Sequence, residues 1–284
     1  MQRELLAWSE DARRDLPWRR TRDPWAVLVS ELMLQQTQVT RVVPKYEAFL
    51  ARFPTIASCA SAPVGDVVRL WAGLGYNRRA VNLHRCAVAV VDVHDGELPR
   101  DLASLLALPG IGPYTARAVS AFAFELDVGI IDTNAARVLA RLRGSSLTRA
   151  DAQAQADALV PAGAGWAWNQ AMLDLGATVC TSRNPRCGSC PVSERCGWHR
   201  ADRPDPDPAV GSAGVSTKQS TFEGSDRQGR GRLVDALRRD GRVERAALAA
   251  SAGWPDDAAR AARAAESLVR DGLATWEGDA LSLV

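Results

Sequence analysis

Apolar residues recur at helical spacing, three or four positions apart, over residues 25–34, 64–74, 78–91, 102–108, 115–124 and 135–142. Proline and glycine punctuate these segments at Pro44, Pro54, Pro63, Gly96, Pro99, Pro109, Gly110, Gly112, Gly144 and Pro161. A further helix, rich in Ala, Gln and Asp, is predicted around residues 150–160. The pattern makes residues 1–200 a mostly helical region, and no fixed-period repeat is visible in it.

The character changes at residue 201. The stretch Asp202-Arg203-Pro204-Asp205-Pro206-Asp207-Pro208 is polar and proline-rich, and Gly, Ser and Thr follow it. Such composition predicts an exposed, flexible linker over residues 201–225. Residues 226–284 read as a separate small unit. Helices are expected at about Arg230–Arg239, Val243–Ala250 and Asp256–Arg270, before a hairpin that turns at Gly278-Asp279. Three helices and a terminal hairpin resemble a winged-helix module. About sixty residues is near the lower limit for independent stability, which favours docking on a larger body.

The chain has 284 residues, 46% hydrophobic and 24% charged, enough for one large domain or two ordinary ones. No apolar run approaches the ~20 residues that span a bilayer. The opening Met1-Gln2-Arg3-Glu4 lacks the apolar stretch of a signal peptide. A soluble protein without a membrane association is expected, in the cytoplasm. The net charge of +2 is uninformative as a total, but residues 1–200 hold 23 Lys and Arg against 19 Asp and Glu, and the remainder holds 12 against 14. Arginine far outnumbers lysine. Its planar fork suits phosphate, although a GC-rich genome produces the same bias.

Four of the six cysteines, Cys180, Cys187, Cys190 and Cys196, form C-x6-C-x2-C-x5-C. Clustered cysteines in a cytosolic chain point to metal ligation more than to disulfides. Structural zinc sites pair two close dyads, and here there is one, so a [4Fe–4S] cube suits the spacing better than a zinc knuckle. Arg183, Arg186 and Arg195 stand beside these ligands in sequence and would offset cluster charge or reach phosphates. Cys59 and Cys86 lie in apolar helical context and read as buried core.

Between two helical patterns sits Leu108-Pro109-Gly110-Ile111-Gly112-Pro113-Tyr114-Thr115-Ala116. Glycines Gly110 and Gly112 permit positive φ and close backbone approach, and amides at the start of the next helix can hold a phosphate. That contact would hold DNA without reading bases. An ordinary helix–turn–helix connection is the alternative.

Taken together, these motifs resemble the endonuclease III superfamily and, within it, the MutY-type adenine DNA glycosylases. The resemblance covers about residues 4–200. It rests on Leu16-Pro17-Trp18-Arg19, on Ser30-Glu31-Leu32-Met33-Leu34-Gln35-Gln36-Thr37-Gln38-Val39 and on Trp71-Ala72-Gly73-Leu74-Gly75-Tyr76. The hairpin, Ile131-Asp132-Thr133-Asn134, Trp168-Asn169-Gln170-Ala171-Met172 and the cysteine loop complete it. Ser225-Asp226-Arg227-Gln228 in the tail is similar to that of actinobacterial members. The resemblance implies a two-lobed helical helix-hairpin-helix fold carrying a [4Fe–4S] loop. It also implies a monomeric, nucleoid-associated repair enzyme acting on double-stranded DNA with an A:8-oxoguanine or A:G mispair.

The resemblance also implies roles. Base removal needs a proton donor for the leaving base and a carboxylate for the sugar's developing cation. Glu31 matches the donor, and an apolar, DNA-covered pocket would raise its pKa. Asp132 matches the carboxylate, with Asn134 orienting it or a water, although an Asp before a helix is also an ordinary N-cap. Tyr114 stands where bifunctional relatives carry a Schiff-base lysine, which implies base release without strand cleavage. Its alternative role is to pack the hairpin. Leu34, Gln36 and Tyr76 match residues that enter the duplex near the opposite purine. Gln170 matches the reader of the extruded adenine, and Trp18 and Arg19 would line the pocket, Trp18 equally fitting core packing.

The sequence departs from many relatives at Asn77, where a second Tyr is common, and at Thr133 within Asp132-Thr133-Asn134. It also lacks room for the larger C-terminal domain that many relatives use to check the opposite base. Two alternatives stand beside adenine excision. One is removal of thymine or uracil from G mispairs on the same scaffold. The other is an inactive, cluster-bearing DNA-binding protein, against which the presence of both Glu31 and Asp132 argues.

Overall fold

The computed structural model describes residues 1–215 and 221–284, and among these helices dominate, with three short strands. The chain forms two compact units. The first comprises Met1–Val27, Arg100–Leu106 and Gly112–Lys218, and the second Leu28–Pro99, Ala107–Ile111 and Gln219–Val284.

In the first unit the helix Gly165–Thr178 packs against Gln2–Ala12, Pro113–Phe122 and Thr133–Arg143. Leu5, Val138, Leu139, Leu147, Trp168 and Leu175 meet in its core. Burying each such side chain contributes roughly 1.5–3 kcal/mol. The helix Thr133–Arg143 starts on the Asp132 side chain and stops at Gly144, whose φ of 81° closes it, with Arg141 and Arg143 in the last turn. Cations there oppose the negative end of the helix dipole.

The expectation of an exposed linker over 201–225 requires correction in its first half. Arg141, buried in the core, forms an ion pair with Asp207 at 2.6 Å. Leu147 donates its amide to Ser212 Oγ at 3.0 Å and accepts from the Ala213 amide at 2.9 Å. A buried guanidinium demands a counter-charge, and Asp207 supplies it, so this polar segment is laid onto the unit. The part of the expected linker at residues 216–220 lies outside the described residues.

In the second unit, Val39–Arg52, Val64–Leu70 and Arg78–Val93 enclose Val42, Tyr46, Phe49, Phe53 and Trp71. Phe49 meets Trp71 edge-on, with centroids 6.2 Å apart. Pro44, expected to break the pattern, lies inside the helix Val39–Arg52. The missing amide costs about 3 kcal/mol, which burial of Val42, Tyr46 and Phe49 on one face offsets.

The C-terminal residues follow the order helix Asp226–Asp240, strand β1 (Arg242–Glu244), helices Leu248–Ala252 and Ala258–Arg270, strands β2 (Ala274–Glu277) and β3 (Ala280–Leu283). The antiparallel sheet has the order β1-β3-β2, with Leu281 opposite both Val243 and Trp276. This is a winged-helix arrangement. The helix expected over 243–250 is replaced by β1, a 3-10 turn and a shorter helix. Val243, β-branched and buried, pairs with Leu281 across the sheet, and that long-range pairing overrides local helical spacing.

Candidate active site and cluster loop

Glu31, Leu34, Gln36, Tyr76 and Gly110 belong to the second unit. Trp18, Arg19, Gly112, Tyr114, Asp132, Asn134, Gln170 and the four clustered cysteines belong to the first.

Asp132 is held by three hydrogen bonds. Its Oδ1 accepts the amides of Asn134 at 2.8 Å and Ala135 at 2.7 Å, and its Oδ2 accepts Asn134 Nδ2 at 2.9 Å. It is thus an N-cap, and Asn134 does orient it. Burial pushes its carboxyl above the usual aspartate range, against the pull of these donors. The approach to Asp132 is also fixed. Asn169 accepts from the Ile130 amide at 2.9 Å and donates to Val128 O at 2.8 Å, while Asp157 accepts from the Gly129 amide at 2.8 Å. Asn169 stood within a quoted motif without an assigned role and Asp157 in none, because each bonds to backbone far away in sequence.

The same helix runs from Asp132 to the cysteines. Arg137 donates to Asn134 Oδ1 at 2.8 Å, to Gly176 O at 2.7 Å and to Cys180 O at 2.8 Å. One turn on, Arg141 donates to Cys180 Sγ at 3.3 Å and to Thr181 O at 2.7 Å. Cys180, Cys187, Cys190 and Cys196 line one cavity with Arg141, Trp198 and His199. Among the described residues, no three His, Cys, Asp or Glu side chains converge tightly enough for a single ion. Four thiols around one cavity suit a four-iron cube, and Arg141, beside Cys180, offsets its thiolate charge. Sequence neighbours suggested Arg183, Arg186 and Arg195 for that task. Arg186 instead donates to Thr178 O, and Arg195 lies 3.6 Å from Glu4.

Arg19 does not present an uncommitted guanidinium to a pocket. It grips Asp174 with two bonds, at 2.7 and 2.9 Å, and Arg14 adds a third at 2.5 Å. Asp174 is wholly buried; burial opposes its ionisation, but the Arg19 and Arg14 guanidiniums hold its carboxyl below the usual range. Trp18 is buried, as is Gln170, while Tyr114 is half-buried on the first turn of the helix Pro113–Phe122. Of the hairpin glycines, only Gly110 has positive φ, at 78°. A Cβ there would come within 2.6 Å of Asn82, so this turn admits no larger residue. Gly112 is extended, with φ at −96°, and serves as the N-cap of the helix after it.

In the second unit Glu31 is buried near the end of the helix Pro24–Leu34. Gln36 and Tyr76 are exposed, with φ of 54° and 45°. Left-handed backbone at such residues costs about 1 kcal/mol or more each and needs support. Arg79 provides it. Its Nη1 donates to Leu32 O at 2.6 Å, Met33 O at 3.0 Å and Gln35 O at 2.7 Å, and its Nη2 to Leu74 O at 3.1 Å, Gly75 O at 3.0 Å and Thr37 Oγ1 at 3.1 Å. One buried fork ties both turns together, and burial pushes its pKa down to about 10, so it stays charged at neutrality. Sequence reading missed Arg79, since an arginine two residues past a polar turn carries no local signal of burial.

Comparison with known proteins gives the family. The HhH-GPD superfamily base excision DNA repair protein family matches residues 29–162, and the iron–sulfur binding domain of endonuclease III matches residues 180–196, Cys180 to Cys196. Adenine DNA glycosylase of Mycolicibacterium smegmatis is 44% identical over 282 residues, covering 97% of this chain and 93% of that protein. The human adenine DNA glycosylase is 42% identical over 207 residues, 68% of this chain and 38% of its own length. A thermostable thymine-DNA glycosylase structure matches 70% of this chain and 95% of its own, with a TM-score of 0.67 and 30% identity. An endonuclease III trapped as a covalent intermediate with DNA matches with a TM-score of 0.63 at 23% identity, a likeness of fold. The chain belongs to the HhH-GPD superfamily of base-excision DNA repair proteins, in the branch that carries the endonuclease III iron–sulfur domain.

Proposed function

We propose that this protein hydrolyses the N-glycosidic bond of adenine in duplex DNA where adenine stands opposite 8-oxoguanine or guanine, and that it leaves the strand uncut. Near full-length likeness to adenine DNA glycosylases carries the substrate reading. In the reaction, Glu31 gives a proton to adenine N7 as the C1′–N9 bond breaks. Asp132 stabilises the cationic sugar, water adds at C1′, and its proton passes to a carboxylate. The capping bonds on Asp132 support this role, because a carboxylate already held by three donors needs no reorganisation when charge develops near it. Tyr114 in place of an amine leaves no Schiff base to form.

Gln170 reads the extruded base, Gln36, Tyr76 and Leu34 enter the duplex, and backbone amides of the hairpin at Gly110 and Gly112 hold a phosphate. Trp18 and Arg19 shape the pocket from behind, Arg19 through Asp174. Cys180, Cys187, Cys190 and Cys196 ligate the cluster, which when bound braces the loop that follows the helix Gly165–Thr178. Residues 1–200 form the glycosylase domain, and residues 226–284 an accessory module on a monomeric protein. Among the described residues no helix is long and apolar enough to cross a membrane, and the expected place of action is the nucleoid.

The test is base release from duplexes carrying A opposite 8-oxoG, G, C or T, and T or U opposite G, with strand cleavage scored before and after alkali. Adenine release opposite 8-oxoG or G, with breaks only after alkali, is expected. Release confined to T or U would install the mismatch reading suggested by the thymine-DNA glycosylase fold.

A further inference from the structure

The C-terminal module is seated on the second unit's helices by polar contacts. Arg238 donates to Val68 O at 3.0 and 2.9 Å and to Asn77 Oδ1 at 2.8 Å, and its side chain is only 10% exposed. Arg78 and Arg230 share Asp271. The terminal Val284 carbonyl lies over Gly65, where a Cβ would approach to 2.2 Å. Asn77, the departure at the end of the Gly73–Tyr76 motif, therefore has a local purpose: it accepts from the module.

This docking encloses a groove of about 990 Å³. One wall carries Gln36, Arg41 and Tyr76, and the other Phe222, Arg227 and Arg230. Six arginines and two aspartates line it, so its field is positive. Tyr76 and Phe222 are exposed aromatics, at 42% and 54%. Arg227 bridges them, its guanidinium 5.6 Å from the Phe222 ring centroid and its Nη1 3.3 Å from the Tyr76 hydroxyl. A guanidinium set over one aromatic ring and hydrogen-bonded to the hydroxyl of another, with further arginines beside it, supplies the stacking surfaces and phosphate contacts that bind a nucleic-acid strand. The Arg79 fork gives Tyr76 a fixed backbone, so one of the two faces is pre-organised.

We propose that the C-terminal module extends the duplex contact already read for Tyr76 along the DNA strand opposite the one that loses its base: Phe222 stacks on a further nucleobase of that strand and Arg227 holds a phosphate of it, with Arg41 across the groove. The winged-helix module is then a working part of duplex recognition in this chain. The inference rests on the reading of the protein as a duplex-acting glycosylase, but its test does not require base release.

Full-length Arg227→Glu and Phe222→Ala proteins are compared with wild type for affinity to a short duplex bearing one A:8-oxoG pair, its adenosine 2′-fluorinated to block hydrolysis. Arg239→Glu, an exposed change outside the groove lining, is the control. Each groove variant is expected to bind about tenfold more weakly or worse, and Arg227→Glu to lower the slope of log affinity against log salt by about one. Phe222→Ala should also relieve the quenching of a 2-aminopurine placed in the opposite strand. Wild-type affinity, salt slope and quenching in both variants would overturn the assignment. Tight duplex binding by a wild-type protein that releases no base would sink the proposed reaction and leave the groove standing.

Discussion

Replacing Arg79 by methionine tests whether one buried fork holds both exposed turns. The change keeps side-chain bulk and removes all six hydrogen bonds that Arg79 donates to residues 32–37 and 74–75. Leu32 and Met33 are in the last turn of the helix Pro24–Leu34, where carbonyls lack partners along the helix. They and Leu74 O are buried at these bonds, so water cannot replace the guanidinium there without opening the structure. The other three acceptors are part-buried and can be rehydrated. Three stranded acceptors at roughly 1–2 kcal/mol each give a loss of about 3–6 kcal/mol, a large share of the 5–15 kcal/mol typical of a native domain. Urea unfolding followed by circular dichroism reads this as a lower midpoint at unchanged slope. Arg79→Lys, with its charge kept but no planar fork, should recover only part. Base release should fall with stability, since Gln36 and Tyr76 lose their backbone support. A loss under about 1 kcal/mol in Arg79→Met, or a Lys variant matching wild type, would refute the clamp.

Other outcomes follow from the same contacts. Glu31→Gln should abolish base release while duplex affinity stays near wild type, as measured by single-turnover excision beside equilibrium binding; near-normal excision would remove Glu31 from the reaction. Asp174 is held ionised by Arg19 and Arg14, so its folded pKa lies below its unfolded value. Its stabilisation is therefore complete above the unfolded aspartate range and is lost as pH falls through the folded pKa. Asp174→Asn should cost about 3–5 kcal/mol at neutrality, and its deficit should shrink on acidification; a pH-independent deficit would contradict the ion-pair account. Burial raises the Asp132 pKa, so base release should lose its ionised Asp132 at a pH above the ordinary aspartate range as the solution is acidified, a limb that single-turnover rates against pH would place. Purified protein should absorb broadly near ~400 nm and contain about four irons, and Cys190→Ser should lower both; one zinc and no iron by elemental analysis would exclude the cube.

Much of the site was legible because its signals are local. The cysteine spacing, the Leu108–Ala116 hairpin and the Asp132-Thr133-Asn134 cap each place chemistry within a few residues of backbone, where spacing alone fixes geometry. The winged-helix order of the tail was legible for the same reason, apart from residues 243–250. There the pairing of Val243 with Leu281, across nearly forty residues, decided strand over helix.

What only the tertiary structure decided are the long-range pairings of buried polar groups. Arg19, expected beside the pocket, anchors Asp174, 155 positions away. Arg141, rather than the arginines beside the cysteines, reaches Cys180 Sγ. Arg79 joins two turns, and Asn77 turned from a mere departure into a docking point for Arg238, 161 positions on. Amino-acid order records which groups are polar and how far apart they stand along the backbone. Which of them must leave water, and therefore which partner each has to find, is settled only when the helices close over them.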